Sequence, residues 1–399
     1  MRRALLVVTM LGACRSKAEH QARPIEVVKD GGAADAAPDA GTWTQLAELP
    51  VVHAVRTVML PSRPDRPRFD VVGPAILGDI AVVGSSQLGF AAVDWRRGAL
   101  VWTKATGSRL APPVVDGDDF VLISECLSAP DVPDRDQLLG CLRSVTVTGQ
   151  DQAFIAIHGE AAAVEAFSHA AGTQDVWLEG NSVRWRRGDQ AVSIDVMSGI
   201  ARPAATAPPP LAITYKDRHW DIDQIEGTLV ARAQGKIAWR TERPYGPLLG
   251  SVWLRQQPPM VRTVSIGGRA GEQELRLNDL DVSGSMNGAV SLDTVPGIGL
   301  LAHATSPVGD VALVVRLDKT LKHDFIAGYA ANALLQWVYP LPETTRVDPI
   351  GIAIGLDAKR APEAVVAFYD GDTVTILPEL SAPPTTPGAV RGPSENATP

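Results

Sequence analysis

The chain has 399 residues and a formal net charge of −8 at pH 7, from 45 acidic and 37 basic side chains. This balance argues against a general affinity for nucleic acid or for anionic lipid surfaces. The length exceeds the usual size of one compact core, which favours an architecture that grows by adding repeated units. The 36 glycines and 31 prolines favour an all-β chain rich in turns.

The chain begins with the pattern of an export signal. Two arginines precede an apolar segment at residues 4–10, and the sequence Leu-Gly-Ala-Cys then ends at Cys14. This ending resembles the lipobox of bacterial lipoproteins. The resemblance implies a signal peptide at residues 1–13, cleavage before Cys14, and acylation of the Cys14 thiol and the new amine. An ordinary secretory signal with an unrelated cysteine is the alternative.

The residue after the cysteine bears on the membrane that would hold the anchor. Arg15 follows Cys14, so the aspartate that retains lipoproteins of enteric bacteria in the inner membrane is absent. The expected location is therefore the outer membrane, with the protein facing the periplasm, and the inner membrane is the alternative that the sequence leaves open.

Two segments are predicted to lie outside the folded domain. Residues 14–42 contain almost no large apolar side chains, and residues 381–399 are polar and rich in proline. Neither segment can bury enough surface to offset the entropy lost on ordering. We predict a flexible tether at 14–42, one folded domain at 43–380 and a disordered tail at 381–399.

The clearest copy of a repeated pattern lies at residues 74–124. Short apolar runs separated by Gly, Asp and Pro clusters predict antiparallel strands joined by tight turns. Asp94 and Gly98 are expected to form one of these turns, because Gly tolerates positive φ and Asp bonds nearby backbone. Trp102 follows on the next strand, where its large apolar surface can cover a neighbouring repeat.

Weaker copies of this pattern recur along the chain. Trp239 follows Gly235 by four residues, and Trp337 follows Ala333 by four. Two further copies keep the turn without the tryptophan, at Asp195, Gly199, Asp281 and Gly284. We predict that Trp102, Trp239 and Trp337 are equivalent buried residues that pack between repeats.

The pattern resembles the repeat of the PQQ-like (quinoprotein-type) β-propellers and covers most of residues 73–380. The resemblance implies an all-β fold with a single propeller of about seven four-stranded blades, eight being the alternative. Because the last blade has only two or three clear strands, an extended segment within residues 43–60 is expected to complete it and close the ring. Blade starts are expected near Pro74, Pro112, Ala162, Pro210, Pro247, Pro296 and Asp348.

One segment carries conflicting signals. Residues 160–171 have the composition of a helix. Their neighbours, however, repeat as strands, and we therefore predict a strand there.

The three cysteines divide into one and two. If Cys14 carries lipid, Cys126 and Cys141 remain, on either side of a polar segment in the second blade. In an exported protein such a pair is more often a disulfide than two thiols. Closing a loop of this size would stabilise the fold by about 3 kcal/mol in the chain-entropy model. A metal site is not expected, since no His and no C-x-x-C motif lie nearby.

No catalytic, metal or cofactor site is predicted. The seven histidines show no metal-ligand spacing, and a calcium-like loop beginning at Asp279 has Val290 where a glutamate is required. Quinoprotein dehydrogenases, which resemble this repeat, carry adjacent paired cysteines and a calcium site. Because no Cys-Cys pair occurs here, the resemblance implies the fold without the cofactor.

At the level of fold and anchor, the chain also resembles the propeller lipoproteins of the machinery that inserts β-barrels into the outer membrane. This resemblance implies a lipid-anchored, non-enzymatic scaffold that binds another envelope protein, whose identity the sequence leaves open. The alternative is a small-molecule-binding or catalytic propeller with a ligand in its central channel. A scaffold predicts an exposed patch on one rim, whereas the alternative predicts polar groups that converge at the axis.

Overall fold

The computed structural model describes residues 50–63, 71–127, 137–170, 174–208, 210–242, 244–252, 258–267, 274–291, 299–316, 324–342 and 350–380. The predicted signal peptide, the lipidation site at Cys14, the tether and the tail at 381–399 lie outside the described residues. Their boundaries therefore stay predictions.

The described strands fall into seven groups of four, each antiparallel, which is the architecture of a β-propeller. Blades 1 and 2 contain β2 (Val72–Leu77), β3 (Ile80–Ser85), β4 (Gly89–Asp94), β5 (Ala99–Lys104), β6 (Val114–Asp116), β7 (Asp119–Ser124), β8 (Leu138–Thr146) and β9 (Asp151–Gly159). Blades 3 and 4 contain β10 (Gln174–Glu179), β11 (Ser182–Arg187), β12 (Gln190–Asp195), β13 (Ile200–Pro203), β14 (Leu211–Tyr215), β15 (Arg218–Ile225), β16 (Thr228–Ala233) and β17 (Lys236–Arg240).

The remaining three blades complete the ring. Blades 5 and 6 contain β18 (Leu248–Val252), β19 (Met260–Gly267), β20 (Glu274–Asp281), β21 (Met286–Ser291), β22 (Gly299–Thr305), β23 (Val311–Arg316), β24 (Asp324–Tyr329) and β25 (Leu335–Pro340). Blade 7 contains β26 (Gly351–Leu356), β27 (Pro362–Tyr369), β28 (Thr373–Leu377) and β1 (Arg56–Met59). The first strand of the chain thus belongs to the last blade.

Strand β1 closes the propeller. It pairs antiparallel with β28, from Arg56 opposite Ile376 to Met59 opposite Thr373. The pairing satisfies the edge that β28 would otherwise expose. The prediction of a closing N-terminal strand is confirmed, and the described strands form seven blades rather than eight.

The predicted strand at residues 160–171 is wrong. The segment forms helix α1 (Ala161–His169), and blade 3 begins later, at β10, instead of near Ala162. Val164 and Phe167, three residues apart, are its buried side chains, and the Phe167 ring contacts Trp185 edge-on at 4.7 Å between centroids. Because this segment connects two blades, no strand pairing competes with the helix propensity of its alanines.

Blades 2 and 3 are joined by an unusual pairing of their outer strands. Ile200 of β13 lies opposite His158 of β9, and Ala201 lies opposite Gly159, in parallel orientation. The two blades therefore form one eight-stranded sheet.

The core of the protein lies between the blades. Each of six buried apolar clusters joins two consecutive blades, namely 1 and 2, 2 and 3, 4 and 5, 5 and 6, 6 and 7, and 7 and 1. In the part of the chain that the structure describes, no such cluster joins blades 3 and 4. This junction differs from the others.

The strand order gives the propeller two distinct faces. Within each blade the turns after the first and third strands lie at one end of the strands. The turns after the second strand, and the connections between blades, lie at the other end. We call these ends the turn face and the connection face.

Candidate functional site

The three repeat tryptophans make the same hydrogen bond at three blade junctions. Each lies on the fourth strand of its blade, and its indole N–H donates to a backbone carbonyl that follows the third strand of the next blade. Trp102 and Trp337 are buried and Trp239 is partly buried. For Trp102, Trp239 and Trp337, the acceptors are the oxygens of Val147, Val282 and Glu379, at 3.1, 2.5 and 3.1 Å. These side chains therefore connect blades and do not line the channel mouth.

The Asp and Gly residues of the repeat form the turns between third and fourth strands. The carboxylates of Asp94, Asp195 and Asp281 accept hydrogen bonds from backbone N–H groups of their own turns, at 2.8 or 2.9 Å. Hydrogen bonds from the Ser198 hydroxyl and amide lower the pKa of Asp195 below its ordinary value. The glycines that end these turns, Gly98, Gly199 and Gly284, have φ of 66°, 72° and 81°.

These turns are also where the preceding blade packs. A Cβ placed on Gly149 or Gly284 would lie 2.6 or 2.7 Å from ring atoms of Trp102 or Trp239. At Gly98 it would lie 2.5 Å from the Arg56 side chain of β1. Glycine is therefore required here by close approach as well as by backbone conformation.

Gly235, in the equivalent turn of blade 4, has no such neighbour. Among the residues that the structure describes, none outside its own chain neighbours has a heavy atom within 4 Å of a Cβ placed there. Blade 3 thus leaves this turn of blade 4 uncovered, in agreement with the absence of a described apolar cluster at the junction.

The surfaces that face each other across this junction are largely polar. In β11, Trp185 packs toward blade 2, so Arg184 and Arg186, which alternate with it, point toward blade 4. They pair with Glu179 and Asp175 of β10. The facing side of blade 4 carries two further pairs, His219 with Asp221 and Arg232 with Asp223. Each of these pairs closes within its own blade.

The turn face carries an arc of exposed apolar side chains on four consecutive blades. Met197 is 82% exposed and Leu334 is 60% exposed, each within a turn between third and fourth strands. Ile237 and Met286, 60% and 52% exposed, lie at the start of the fourth strands of the two intervening blades. We call these four residues the apolar arc.

A cavity of about 510 Å³ opens on the same face, close to the propeller axis. It is formed by blades 5, 6 and 7, whose first strands are innermost. Its polar lining includes Ser251, Thr305 and Ser306, and two cations, Lys359 and Arg360.

The disulfide lies on the opposite face. Cys126 and Cys141 are bonded, as predicted, with their Cα atoms 5.2 Å apart. They border a second cavity, of about 390 Å³, with Arg109 and Glu125. Although burial opposes it, hydrogen bonds from the Ser108 hydroxyl and amide leave the pKa of Glu125 below its ordinary value.

Among the residues with a described position, no group of three or more His, Cys, Asp or Glu side chains is placed to hold a metal ion. No helix in this same part of the chain is long and apolar enough to cross a membrane.

The sequence analysis missed the apolar arc and the axial cavity. For Met197 and Leu334 a signal existed, since each is a large apolar residue inside a polar turn. For the cavity there was no such signal. Its lining comes from three blades, and the contributing segments, 249–251, 305–308 and 359–360, are more than fifty residues apart in sequence.

Comparisons with known proteins were made at the levels of family, sequence and structure. No family model matches the chain, and no curated protein matches it in sequence. Among solved structures, a chain of the Mitotic Checkpoint Complex aligns with 10% identity and a TM-score of 0.47, over 86% of this chain and 96% of that one. The β-propeller domain of Myceliophteria thermophila Cps50 aligns with 10% identity and a TM-score of 0.44, over 81% and 98%.

BamB from Moraxella catarrhalis aligns with 15% identity and a TM-score of 0.35, over 76% of this chain and 83% of that chain. At these identities and scores the likenesses carry no argument about family or function. The propeller fold rests on the strand pairing described above, and membership of the PQQ-like family stays a prediction.

Proposed function

We propose that the protein is a lipid-anchored scaffold of the bacterial envelope, whose propeller binds another protein and catalyses no reaction. The observation that carries the proposal is the apolar arc on the turn face. Single exposed apolar residues are ordinary on protein surfaces, and these four are distinguished by their recurrence along one rim of the propeller. Here each of four consecutive blades contributes one such residue at nearly the same structural position.

The chemistry of the arc suits a protein partner. Two of its four residues are methionines, whose flexible thioether side chains adapt to differently shaped apolar surfaces. The arc follows the rim and therefore offers an extended contact instead of a closed pocket. We expect the partner to present several apolar side chains in a row, as an amphipathic helix or an extended segment does.

The sequence of the N-terminal region supports the envelope location. Acylation at Cys14 would place the start of the tether at the membrane surface. If residues 14–42 form the flexible tether that the sequence predicts, its root-mean-square span would be roughly 30 Å. The propeller would therefore meet partners that are embedded in, or close to, the same membrane. Mass spectrometry of the mature N-terminus tests this step: an acylated Cys14 is expected, and an unmodified Cys14 would refute the anchor.

The absence of PQQ-dependent chemistry is part of the proposal. Quinoprotein dehydrogenases hold the cofactor with adjacent cysteines, whereas Cys126 and Cys141 are bonded to each other on the connection face. Addition of PQQ and calcium should give no dye reduction with alcohols or sugars.

The second candidate, a small-molecule-binding propeller, is favoured by one observation, the polar axial cavity.

Site-specific photo-crosslinking tests the scaffold function. A photoreactive amino acid would replace Leu334 or Met197 in the full-length protein in its native envelope. Leu127, 56% exposed on the connection face, provides a matched control. We expect a discrete protein adduct from Leu334 and Met197 and none from Leu127.

Two results would contradict the proposal. Equal adducts from all three positions would show that the turn face is not selective. An adduct that contains only a second copy of this chain would show that the arc is a self-association surface. In the second case, light scattering of the purified protein would find a dimer that Leu334→Ser disrupts.

A further inference from the structure

The axial cavity has the size and position of a ligand site. It lies between the first strands of blades 5 and 6 and the turn after the first strand of blade 7. Its volume of about 510 Å³ falls within the range of small-molecule sites. Leu249, Gly250 and Ser251 of β18 form one wall, and residues 305–308 form another. Lys359 and Arg360, in the turn between β26 and β27, lie at its edge.

Arg360 occupies a backbone conformation that favours glycine. Its φ is +64°, and its N–H donates to the Asp357 oxygen at 2.9 Å. The neighbouring turn of blade 6 has the same hydrogen bond, from the Gly309 N–H to the Ser306 oxygen at 3.0 Å, but has glycine at the matching position. A residue with a Cβ is disfavoured there, but six other described non-glycine residues also have positive φ. What distinguishes Arg360 is that its side chain borders the cavity.

Thr305 provides a second, independent sign of a ligand. Its hydroxyl oxygen is buried and has no hydrogen-bond partner, and the residue lines the same cavity. A buried hydroxyl without a partner destabilises the folded protein. The residue itself is only partly buried, and rotation about its χ1 angle would bring the hydroxyl to the cavity surface, where an oxygen atom of a bound molecule could accept its hydrogen bond.

The charge of the cavity indicates the class of ligand. None of its described lining residues is acidic, whereas two are cationic and exposed. Two nearby carboxylates accept hydrogen bonds within the turns that form the cavity edge, so their lone pairs are already occupied. Asp357 accepts the backbone N–H groups of Lys359 and Ala361, at 2.8 and 2.7 Å. Asp310 accepts the Ser306 hydroxyl at 3.0 Å.

We propose that this cavity binds a small organic anion through carboxylate or phosphate oxygens. Arg360 and Lys359 would bind these oxygens, since guanidinium and ammonium groups form charge-assisted hydrogen bonds with both. Thr305 would donate to an oxygen deeper in the cavity, and Leu249 would contact the carbon skeleton. The site is separate from the apolar arc, so it does not depend on the proposed scaffold function.

Calorimetric titration of the purified protein at low ionic strength tests the proposal, with citrate and inorganic phosphate as probes and glucose as a neutral comparison. We expect saturable binding of at least one anion, no binding of glucose, and affinity that falls as salt rises. Binding of citrate alone would identify a carboxylate site, and binding of phosphate alone a phosphate site.

Arg360→Gly is the informative variant, because it gives blade 7 the residue that blade 6 already has in the same turn. It should leave the melting temperature unchanged or raise it, while affinity falls about tenfold, the equivalent of about 1.4 kcal/mol. Thr305→Val should also weaken binding without loss of stability. Arg97→Gln, which removes a cation whose side chain is 84% exposed on the same face, is the control and should bind as the natural protein does.

Three results would overturn the proposal. The first is no saturable binding of either anion. The second is unchanged affinity in Arg360→Gly. The third is an equal loss of affinity in Arg97→Gln, which would show a general effect of surface charge.

Discussion

Arg262 is a fully buried cation that joins blade 5 to blade 6, and it permits a sharp test of how the blades are held together. Only 1% of its side chain is exposed. It forms a two-pronged ion pair with Asp279 on the next strand, at 2.7 and 2.8 Å. Its remaining donors reach the backbone oxygens of Gly309 and Ala331 in blade 6. One side chain thus satisfies acceptors on two blades.

The perturbation is Asp279→Ala, which leaves the guanidinium buried without its counter-charge. Removal of one partner of a buried ion pair costs about 3–5 kcal/mol, because the remaining charge stays desolvated. By contrast, exposed pairs such as Arg184 with Glu179 contribute about 0–1 kcal/mol. We therefore expect Asp279→Ala to lower the free energy of unfolding by about 3–5 kcal/mol and Glu179→Ala by less than about 1 kcal/mol.

Urea denaturation followed by tryptophan fluorescence measures this difference. If both variants unfold in one transition with the slope of the natural protein, the shift in midpoint gives the change in free energy. Similar midpoints for Asp279→Ala and Glu179→Ala would contradict this expectation, since burial of the first pair would then have no energetic consequence. A double variant, Arg262→Met with Asp279→Leu, should recover part of the loss because it removes both charges.

Three further predictions concern the junctions and the pH dependence. Trp337→Ala should cost about 3–5 kcal/mol in urea denaturation, as expected for a buried aromatic, and a cost below about 1 kcal/mol would contradict its place between blades. Gly284→Ala should destabilise the protein clearly more than Gly235→Ala. Both glycines have positive φ, but only the new Cβ at residue 284 would clash with Trp239. Equal losses of unfolding free energy would contradict an open junction at blade 4. Burial lowers the pKa of His303 below its ordinary value of 6.5. The unfolded chain therefore binds a proton more readily than the folded protein does, and stability should fall as pH drops below about 6.5. His303→Gln should flatten this pH dependence in melting curves measured from pH 5 to 8. An unchanged dependence of melting temperature on pH would contradict the role of His303.

The blade number could be predicted because its signals are local. A turn such as that from Asp94 to Gly98 is specified by adjacent residues, and its form repeats wherever an antiparallel hairpin repeats. The incomplete strand pattern after residue 349 was equally informative. A sheet edge must be covered, and only the start of the chain offered an unassigned strand.

The helix at Ala161–His169 could not be placed by the same argument. Periodicity along the chain indicates where blades repeat, but it does not show whether a connection between two blades is short or carries its own element. The alanines of this segment favoured a helix. That local preference decided the outcome, because Phe167 could bury its ring against Trp185 from outside the sheet.

The axial cavity depends on information that no stretch of sequence contains. Thr305 is an ordinary strand residue, and Arg360 an ordinary surface cation, until three blades are brought together. The proximity of Thr305 and Arg360 follows from the angle between blades, which is set by the apolar clusters at the junctions. The positive φ of Arg360 is also invisible in sequence, because an arginine does not indicate that conformation.

The junction between blades 3 and 4 shows how a closed ring can include a weak contact. Ion pairs that are partly exposed contribute little, so the polar surfaces there cannot hold two blades together as an apolar cluster does. Both blades are instead fixed from their far sides, blade 3 through its sheet with blade 2 and blade 4 through its cluster with blade 5. The ring is closed at blade 7 by β1, and this closure keeps the polar surfaces in register without a strong bond between them. The apolar arc crosses this same junction, from Met197 on blade 3 to Ile237 on blade 4. A partner bound along the arc would therefore bridge the weakest junction and stabilise the ring where the chain itself does so least.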